Sequence, residues 1–336
     1  MEARPLTLGA EESPWRRLRD AADRRPAATA LILIGAAVLV MIGAKGLHAV
    51  AQGGLNGLSL GAIYALGAVG LTLVYGILRL VNFAHGDFLT FGAYMAYMVN
   101  VTWSLPLVAG IAFAMLATAV LAVFFELIMW GPMRARRAGL LQLLLMSIGL
   151  ALVIRSALQY IWSTDIRLLD VNTTDTVGFL GLLIGRTQLI VIAVGVVVLV
   201  AIGLMLRQTL LGKRMRALAD DLELAEVAGI DTRRVIVYTW LFAGALAGLA
   251  GVLSASITSL NPNFGFDLLL PIFAAVIMGG IGDAYGALAA GMLLGVITEW
   301  SVLFIDARWK IGVGFVVLIA TLIIRPQGIF GKAKVV

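Results

Sequence analysis

Long apolar runs separated by short polar segments dominate the sequence. A helix that crosses a bilayer needs about 20 mainly apolar residues, and ten runs approach or exceed that length. They cover residues 29–48, 53–78, 84–102, 105–130, 141–162, 188–206, 235–258, 267–281, 286–305 and 309–325. The eighth run is short enough to indicate a broken or re-entrant helix. Because no run alternates as barrel strands do, the pattern predicts an all-α, polytopic transmembrane bundle of about ten helices.

Composition supports this assignment and excludes a soluble enzyme. Of the 336 residues, 61% are hydrophobic and 13% are charged, whereas a soluble domain is about half apolar and about one quarter charged. The chain has no cysteine and only two histidines, which excludes disulfides, thiolate catalysis and a histidine metal cluster. We therefore expect no catalytic residue, no metal ligand and no bound cofactor in this chain.

The placement of basic residues predicts the orientation in the membrane. The net charge is +6, and 18 of the 25 lysines and arginines lie within residues 4–25, 134–137, 207–234 and 325–334. With ten spans, all four clusters fall on one side, which the positive-inside rule identifies as the cytoplasm. The charge therefore indicates topology and not nucleic-acid binding. Both termini are predicted to be cytoplasmic in a bacterial inner membrane, and the connection 163–187 lies outside.

Polar residues interrupt the apolar pattern near the start of the third run. Asn82, His85, Gly86 and Asp87 follow one another closely there, and polar groups at membrane depth are candidates for function. One interpretation is that Asn82 and Asp87 cap helix ends, Asp87 at the start of the third span. The other is that this segment lines a transport path. Arg155 has two interpretations as well: it snorkels to the interface or faces a water-filled path.

Two glutamates and several glycines carry further predictions. Glu126 is expected to pair with the arginines at 134–137 and fix a helix end, and Glu299 is expected to face the bundle. The connection containing Asp306, Arg308 and Lys310 needs no special role.

The pairs Gly57/Gly61 and Gly244/Gly248 have the small-xxx-small spacing of closely packed helices. Gly279, Gly280 and Gly282 predict a chain break that is either a transport site or a tight turn.

The segment 212–230 predicts a short amphipathic helix on the cytoplasmic side. Leu218, Leu222 and Ala225 recur at helical spacing, with Val227 nearby, and Gly229 is suited to ending the helix. The opposite face is polar and contains Asp220, Glu223 and Glu226. A partner protein, the chain's own bundle or lipid headgroups would cover the apolar face.

Four sequence blocks, in order, resemble the permease subunits of branched-chain amino-acid ABC importers, a family that includes urea and short-amide permeases. The first block contains Gly57-Leu58-Ser59-Leu60-Gly61-Ala62-Ile63-Tyr64-Ala65-Leu66, Leu73-Val74-Tyr75-Gly76-Ile77 and Asn82-Phe83-Ala84-His85-Gly86-Asp87. The second is Ala217 to Ile230, and the third is Gly279-Gly280-Ile281-Gly282. The fourth is Arg325-Pro326-Gln327-Gly328-Ile329-Phe330-Gly331.

The resemblance implies a permease that works with other chains. These are a second homologous permease subunit, two cytoplasmic ATPases that bind ATP and magnesium, and a periplasmic solute-binding protein. The chain itself has no Gly-x-x-x-x-Gly-Lys-Ser/Thr phosphate loop, so ATP hydrolysis is expected elsewhere. The expected substrate path contains Asn82, His85, Gly86, Gly279, Gly280 and Gly282. The expected ATPase-coupling residues are Arg216, Ala217, Asp220, Leu222, Ala225 and Gly229.

The predicted organisation has four parts. A basic cytoplasmic tail covers residues 1–28, an added transmembrane helix 29–50, the permease domain 51–331 and a short tail 332–336, with a cytoplasmic coupling loop at 207–234. Import of branched-chain or other neutral amino acids is the expected function, and urea or short amides are the alternative. A secondary transporter driven by an ion gradient is a further alternative, for which Glu126 or Glu299 would supply the carboxylate.

Overall fold

The computed structural model describes residues 26–172, 174–179, 181–325 and 327–329. By its internal contacts the chain forms two compact units, Met1–Ala51 and Gln52–Val336. In the first unit, helix α1 spans Pro26–Lys45, and Gly46 follows it with a positive φ of 84°. Residues 1–25 of the predicted basic tail and the predicted C-terminal tail 332–336 lie outside the described residues.

Helices account for most of the remaining described residues. They are α2 (Leu47–Leu78), α3 (His85–Tyr97), α4 (Leu107–Phe125), α5 (Gly131–Ala135), α6 (Leu140–Trp162), α7 (Arg186–Gln208), α8 (Leu210–Asp220), α9 (Leu222–Val227), α10 (Thr232–Ala255), α11 (Phe264–Gly279), α12 (Ala284–Ser301) and α13 (Lys310–Ile324). The π-helical turns Met98–Thr102 and Glu126–Trp130 extend α3 and α4, and a 3-10 turn, Ala307–Trp309, precedes α13. Each of the ten apolar runs coincides with a helix, which confirms the predicted all-α membrane fold.

Burial separates central helices from peripheral ones. Five helical stretches in the described residues are long and apolar enough to cross a membrane: Leu47–Leu78, Leu107–Ala135, Leu140–Trp162, Arg186–Gln208 and Thr232–Ala255. In the most apolar 18 residues of α2, 83% are buried, whereas the share is 28% in each of the stretches containing α4, α6 and α7. A helix that is apolar all round is either buried or a membrane span. The exposed apolar sides of α4, α6 and α7 therefore suit contact with lipid.

Glycine pairs bring the central helices into backbone contact. A Cβ added at Gly61 of α2 would lie 2.7 Å from the carbonyl oxygen of Met292 in α12, and one at Gly57 would lie 2.6 Å from the Cα of Val296. A Cβ at Gly244 of α10 would lie 2.7 Å from the carbonyl oxygen of Thr118 in α4. These distances are too short for any side chain, so the predicted close packing at both glycine pairs is confirmed.

One end of the bundle carries a small two-stranded sheet. Strands β1 (Thr176–Phe179) and β2 (Leu182–Gly185) pair antiparallel, and Gln52 bonds to both the backbone N–H and the carbonyl of Leu183. The backbones of Arg167 and Leu260 bond to each other through both of their polar groups, at 2.8 and 2.9 Å. We call residues 163–185 together with 256–263 the hairpin end. From there α7 runs through 23 residues, about 35 Å, to α8 at the opposite end.

Candidate functional site

The turn between α2 and α3 is tied into the bundle by hydrogen bonds. The side-chain oxygen of Asn82 accepts a bond from the Ala84 N–H at 3.1 Å, and the Phe83 N–H donates to the Ser147 hydroxyl of α6. His85 Nε2 lies 2.9 Å from the carbonyl oxygen of Gly67 in α2. Both Asn82 and His85 are buried. The side-chain N–H₂ of Asn82 is buried without a hydrogen-bond partner among the described residues.

Gly86 occupies the crossing point of α3 and α11. A Cβ at Gly86 would lie 2.5 Å from the carbonyl oxygen of Gly265, and a Cβ at Gly265 would overlap the backbone of Gly86. The Gly265 N–H donates to the hydroxyl of Thr90 across the same contact. Glycine at both positions therefore lets the two backbones touch.

Asp87 forms a buried ion pair with Arg155. The Arg155 Nε and Nη2 atoms donate to the two carboxylate oxygens of Asp87, at 3.0 and 3.2 Å. The interpretation of Asp87 as the N-cap of the third span is wrong, since α3 begins at His85 and Asp87 lies inside its first turn. A carboxylate fully removed from solvent needs a partner, and the bidentate guanidinium provides it. The sequence did not predict this ion pair, because Asp87 and Arg155 are 68 positions apart and lie on different helices.

An open cavity of about 610 Å³ lies beside this ion pair at the hairpin end. Its walls come from the second half of α6, the loops at 164–166 and 261–263, and the start of α11. Arg155 lines it, with the guanidinium carbon 4.8 Å from the ring centre of Phe266. Of the two interpretations of Arg155, the structure therefore favours a polar cavity over snorkelling. Asn82, His85 and Gly86 are packed in the bundle and do not line this cavity.

The predicted glycine break joins α11 to α12. Gly280 and Gly282 have positive φ values of 101° and 90°, which favour glycine, and Asp283 then caps α12 by accepting bonds from the N–H groups of Tyr285 and Gly286. The Gly282 N–H donates to the Thr72 hydroxyl of α2 at 3.0 Å. The Ile329 N–H donates to the carbonyl oxygen of Met278 at 2.7 Å. A Cβ added at Gly328 would lie 2.6 Å from the backbone nitrogen of Gly280, so the third and fourth sequence blocks are in contact.

The segment 210–230 forms two helices, not the single one that the pattern predicts. Asp221 has an extended backbone, and its carboxylate caps α9 by accepting a bond from the Leu224 N–H at 2.9 Å. An N-cap residue cannot continue the preceding helix, so α8 ends at Asp220. Gly229 has a positive φ of 83° just beyond α9, in the helix-ending position that was expected.

The bundle covers one face of this pair of helices and leaves another free. α8 packs against α7 and α10, with Met215 and Leu218 buried. Ala225 is also buried, at 4% exposure, whereas its neighbours Leu224 and Val227 are 66% and 87% exposed. Six residues were expected to couple to an ATPase. Three of them are exposed: Arg216, Asp220 and Gly229. Ala217 and Leu222 are half-buried, and Ala225 faces inward. Val227 lies beside the predicted apolar stripe, whereas Leu224 was not singled out by the sequence pattern.

The two glutamates considered for ion coupling both carry a basic partner. Glu126 is buried and forms an ion pair with Arg134, which confirms that prediction. Glu299 of α12 accepts a bond from Lys310 Nζ at 2.5 Å. Lys310 therefore has a pairing role that the sequence analysis did not assign. The described part of the chain holds no group of three or more acidic or histidine side chains placed to bind a metal ion.

The fold and these contacts define a polytopic helical membrane protein with a polar cavity at one end and an exposed helical element at the other. Residues 53–322 match the family model described as the branched-chain amino acid transport system / permease component. The chain belongs to this family, and it is a permease subunit of an ABC importer.

Individual relatives support the same assignment. The high-affinity branched-chain amino acid transport system permease protein LivH of Salmonella typhimurium is 32% identical over 81% of this chain and 92% of its own length. BraD of Pseudomonas aeruginosa, with the same description, is 31% identical over the same shares. The ribose import permease protein RbsC of Escherichia coli is 28% identical over 71% of the chain and 74% of its own length. No solved structure matches the chain.

Proposed function

We propose that this chain is the permease subunit of an ATP-driven importer for branched-chain or other neutral, apolar amino acids. The names of the relatives that match the chain over most of its length support this substrate class. In this proposal the chain lies in a bacterial inner membrane with α8 and α9 on the cytoplasmic side. The basic residues near α8 support that orientation.

The observation that carries the proposed coupling is the exposed pair Leu224 and Val227 on α9. Two exposed apolar side chains on a short helix whose Ala225 is buried against the bundle fit a groove on another protein. We assign that groove to a cytoplasmic ATPase, two copies of which would serve a pair of permease subunits. ATP and magnesium would bind to those partners, and the chain itself would carry out no chemical step.

The helix packing suggests how a displacement of α9 by a bound partner would be transmitted to the hairpin end. α9 contacts α8 and α10, and α10 packs against α3, where a Cβ at Gly251 would overlap the backbone of Leu89. α3 in turn touches α11 at Gly86 and Gly265. Because glycine contacts allow few intermediate positions, a shift of α10 would be passed to α3 and α11 and so to one wall of the cavity.

The assignment of a substrate path to Asn82, His85, Gly86, Gly279, Gly280 and Gly282 remains a prediction. The side-chain N–H₂ of Asn82, which has no acceptor in the described part of the chain, supports it. A buried donor without an acceptor is costly and would gain a bond from water or substrate when the path opens. The ion pairs of Glu126 and Glu299 argue against the ion-driven alternative. Arg134 and Lys310 already provide these two carboxylates with a counter-charge.

Division of the chain into an added N-terminal helix, residues 29–50, and a permease domain, residues 51–331, is part of the proposal. A solute-binding protein would deliver the substrate at the hairpin end. The direct test is uptake of labelled leucine, urea and ribose by cells that lack only this chain, with and without a plasmid copy. Restored leucine uptake supports the proposal; restoration of urea or ribose uptake alone contradicts its substrate class.

A further inference from the structure

The cavity at the hairpin end combines three chemical elements in one space. Arg155 supplies a cation, Asp267 an anion, and Phe266 and Ile166 supply apolar surface. Asn261 and Asn263 add amide groups at the rim. The volume of about 610 Å³ lies within the range of small-molecule sites, which is about 300–1,000 Å³.

Arg155 is held ready to bind a carboxylate. Its two bonds to Asp87 use Nε and Nη2, so these bonds leave Nη1 for another acceptor. The ring of Phe266 covers one face of the Arg155 guanidinium. The Arg155 side chain is 17% exposed. A guanidinium fixed in this way loses little side-chain entropy when it binds a ligand.

The charge balance selects among ligands. Asp87 already neutralises Arg155, and Asp267 adds one negative charge to the cavity wall. A simple anion therefore meets net repulsion. A zwitterion satisfies both Arg155 and Asp267, because its carboxylate and its ammonium group are separate.

We propose that this cavity binds a neutral amino acid, with Arg155 holding the α-carboxylate, Asp267 the α-ammonium group, and Phe266 and Ile166 the apolar side chain. The substrate class rests on the proposed function. The match of a cation, an anion and an apolar surface in the cavity to a zwitterion with an apolar side chain does not depend on the proposed function. Urea has neither charge, and a sugar has no ammonium group for Asp267.

Binding of tritiated leucine to the full-length chain in lipid nanodiscs tests the inference. Leucinamide lacks the carboxylate, and 4-methylpentanoate lacks the ammonium group, so the two compounds probe Arg155 and Asp267 separately. We expect leucine to compete best with the label. Replacement D267N removes a charge-assisted bond and is expected to weaken leucine binding about tenfold or more. Because it also removes the repulsion of a simple anion, it is expected to strengthen the binding of 4-methylpentanoate.

Controls separate a local effect from a damaged fold. Asp306 is an exposed acid that does not line the cavity, and D306N keeps its capping role, so this variant is expected to bind leucine as the wild type does. For Arg155 the informative variant is the double replacement D87N/R155Q, which leaves no buried charge unpaired. It is expected to lose leucine binding while keeping that of leucinamide.

Three outcomes overturn the inference: no displaceable leucine binding by the wild-type chain, unchanged binding in D267N, or unchanged binding in D87N/R155Q. Uptake in cells distinguishes this failure from failure of the proposed function. If cells import leucine through this chain while D267N binds and imports it normally, the cavity is not the site and the importer stands. If cells import no amino acid, the substrate proposal fails, and the nanodisc data alone decide what the cavity binds.

Discussion

Arg155 of α6 and Asp87 of α3 meet in a two-point ion pair, with both carboxylate oxygens accepting bonds at 3.0 and 3.2 Å. Asp87 is almost fully buried. The pair fixes the start of α3 against α6 and places the guanidinium at the cavity wall.

Removal of one partner is expected to cost more than removal of both. R155Q leaves a buried carboxylate without its counter-charge, which typically costs about 3–5 kcal/mol. In D87N/R155Q two neutral side chains replace the pair, so the loss is expected to be smaller. Thermal unfolding of the detergent-purified variants measures this. Equal melting temperatures for R155Q and the double variant would contradict the predicted cost of leaving the Asp87 carboxylate unpaired.

The glycine contact between α2 and α12 predicts a large effect from a small change. In G61A the added methyl would lie 2.7 Å from a backbone oxygen of Met292, so the two helices must move apart. Overpacking of this kind costs about 1–3 kcal/mol. G149A is the matched control, because a Cβ there meets nothing within 4 Å. We expect a lower melting temperature for G61A only, and equal stability of the two variants would contradict the contact.

Neighbouring residues of α9 are expected to respond differently to a charge. V227D places an acid on an exposed apolar surface, so the bundle should keep its stability while association with the ATPase weakens about tenfold or more. A225R forces a charge into a buried position, so it should destabilise the bundle itself. Melting temperature and leucine uptake measured together separate the two. Normal uptake in V227D would exclude α9 as the coupling surface.

His85 packs in the bundle, so its predicted place in the substrate path has to be tested against a packing role. H85A removes the contact with the Gly67 carbonyl and leaves a cavity in the bundle, with an expected loss on the order of 2–4 kcal/mol in stability. Melting temperature and uptake, compared at equal amounts of folded protein, test this. A variant with normal stability but strongly reduced uptake would instead place His85 in the substrate path.

Much of the fold follows from local sequence signals. A bilayer demands long apolar helices, so the ten apolar runs locate the helices directly. Glycine spacing at Gly57/Gly61 and Gly244/Gly248 marks two close contacts for a similar reason: only glycine allows such an approach. Glu126 and Arg134 are only 8 positions apart, near enough in sequence to be paired by inspection.

The site depends on contacts that the sequence does not display. Arg155 and Asp87 lie on different helices, and only the packed bundle brings them together. Helical periodicity identifies an apolar stripe containing Ala225 but cannot say whether the bundle or a partner covers it. The break at Asp221 was missed because its capping role competes with the strong helix formers on either side.

Reconstitution is the most direct test of the central claim. Proteoliposomes would contain this chain, a second permease and the ATPases, with the solute-binding protein added outside. We expect leucine uptake that requires ATP and is lost when this chain is left out. Leucine uptake by this chain alone, driven by a proton or sodium gradient without the ATPases, would contradict the account.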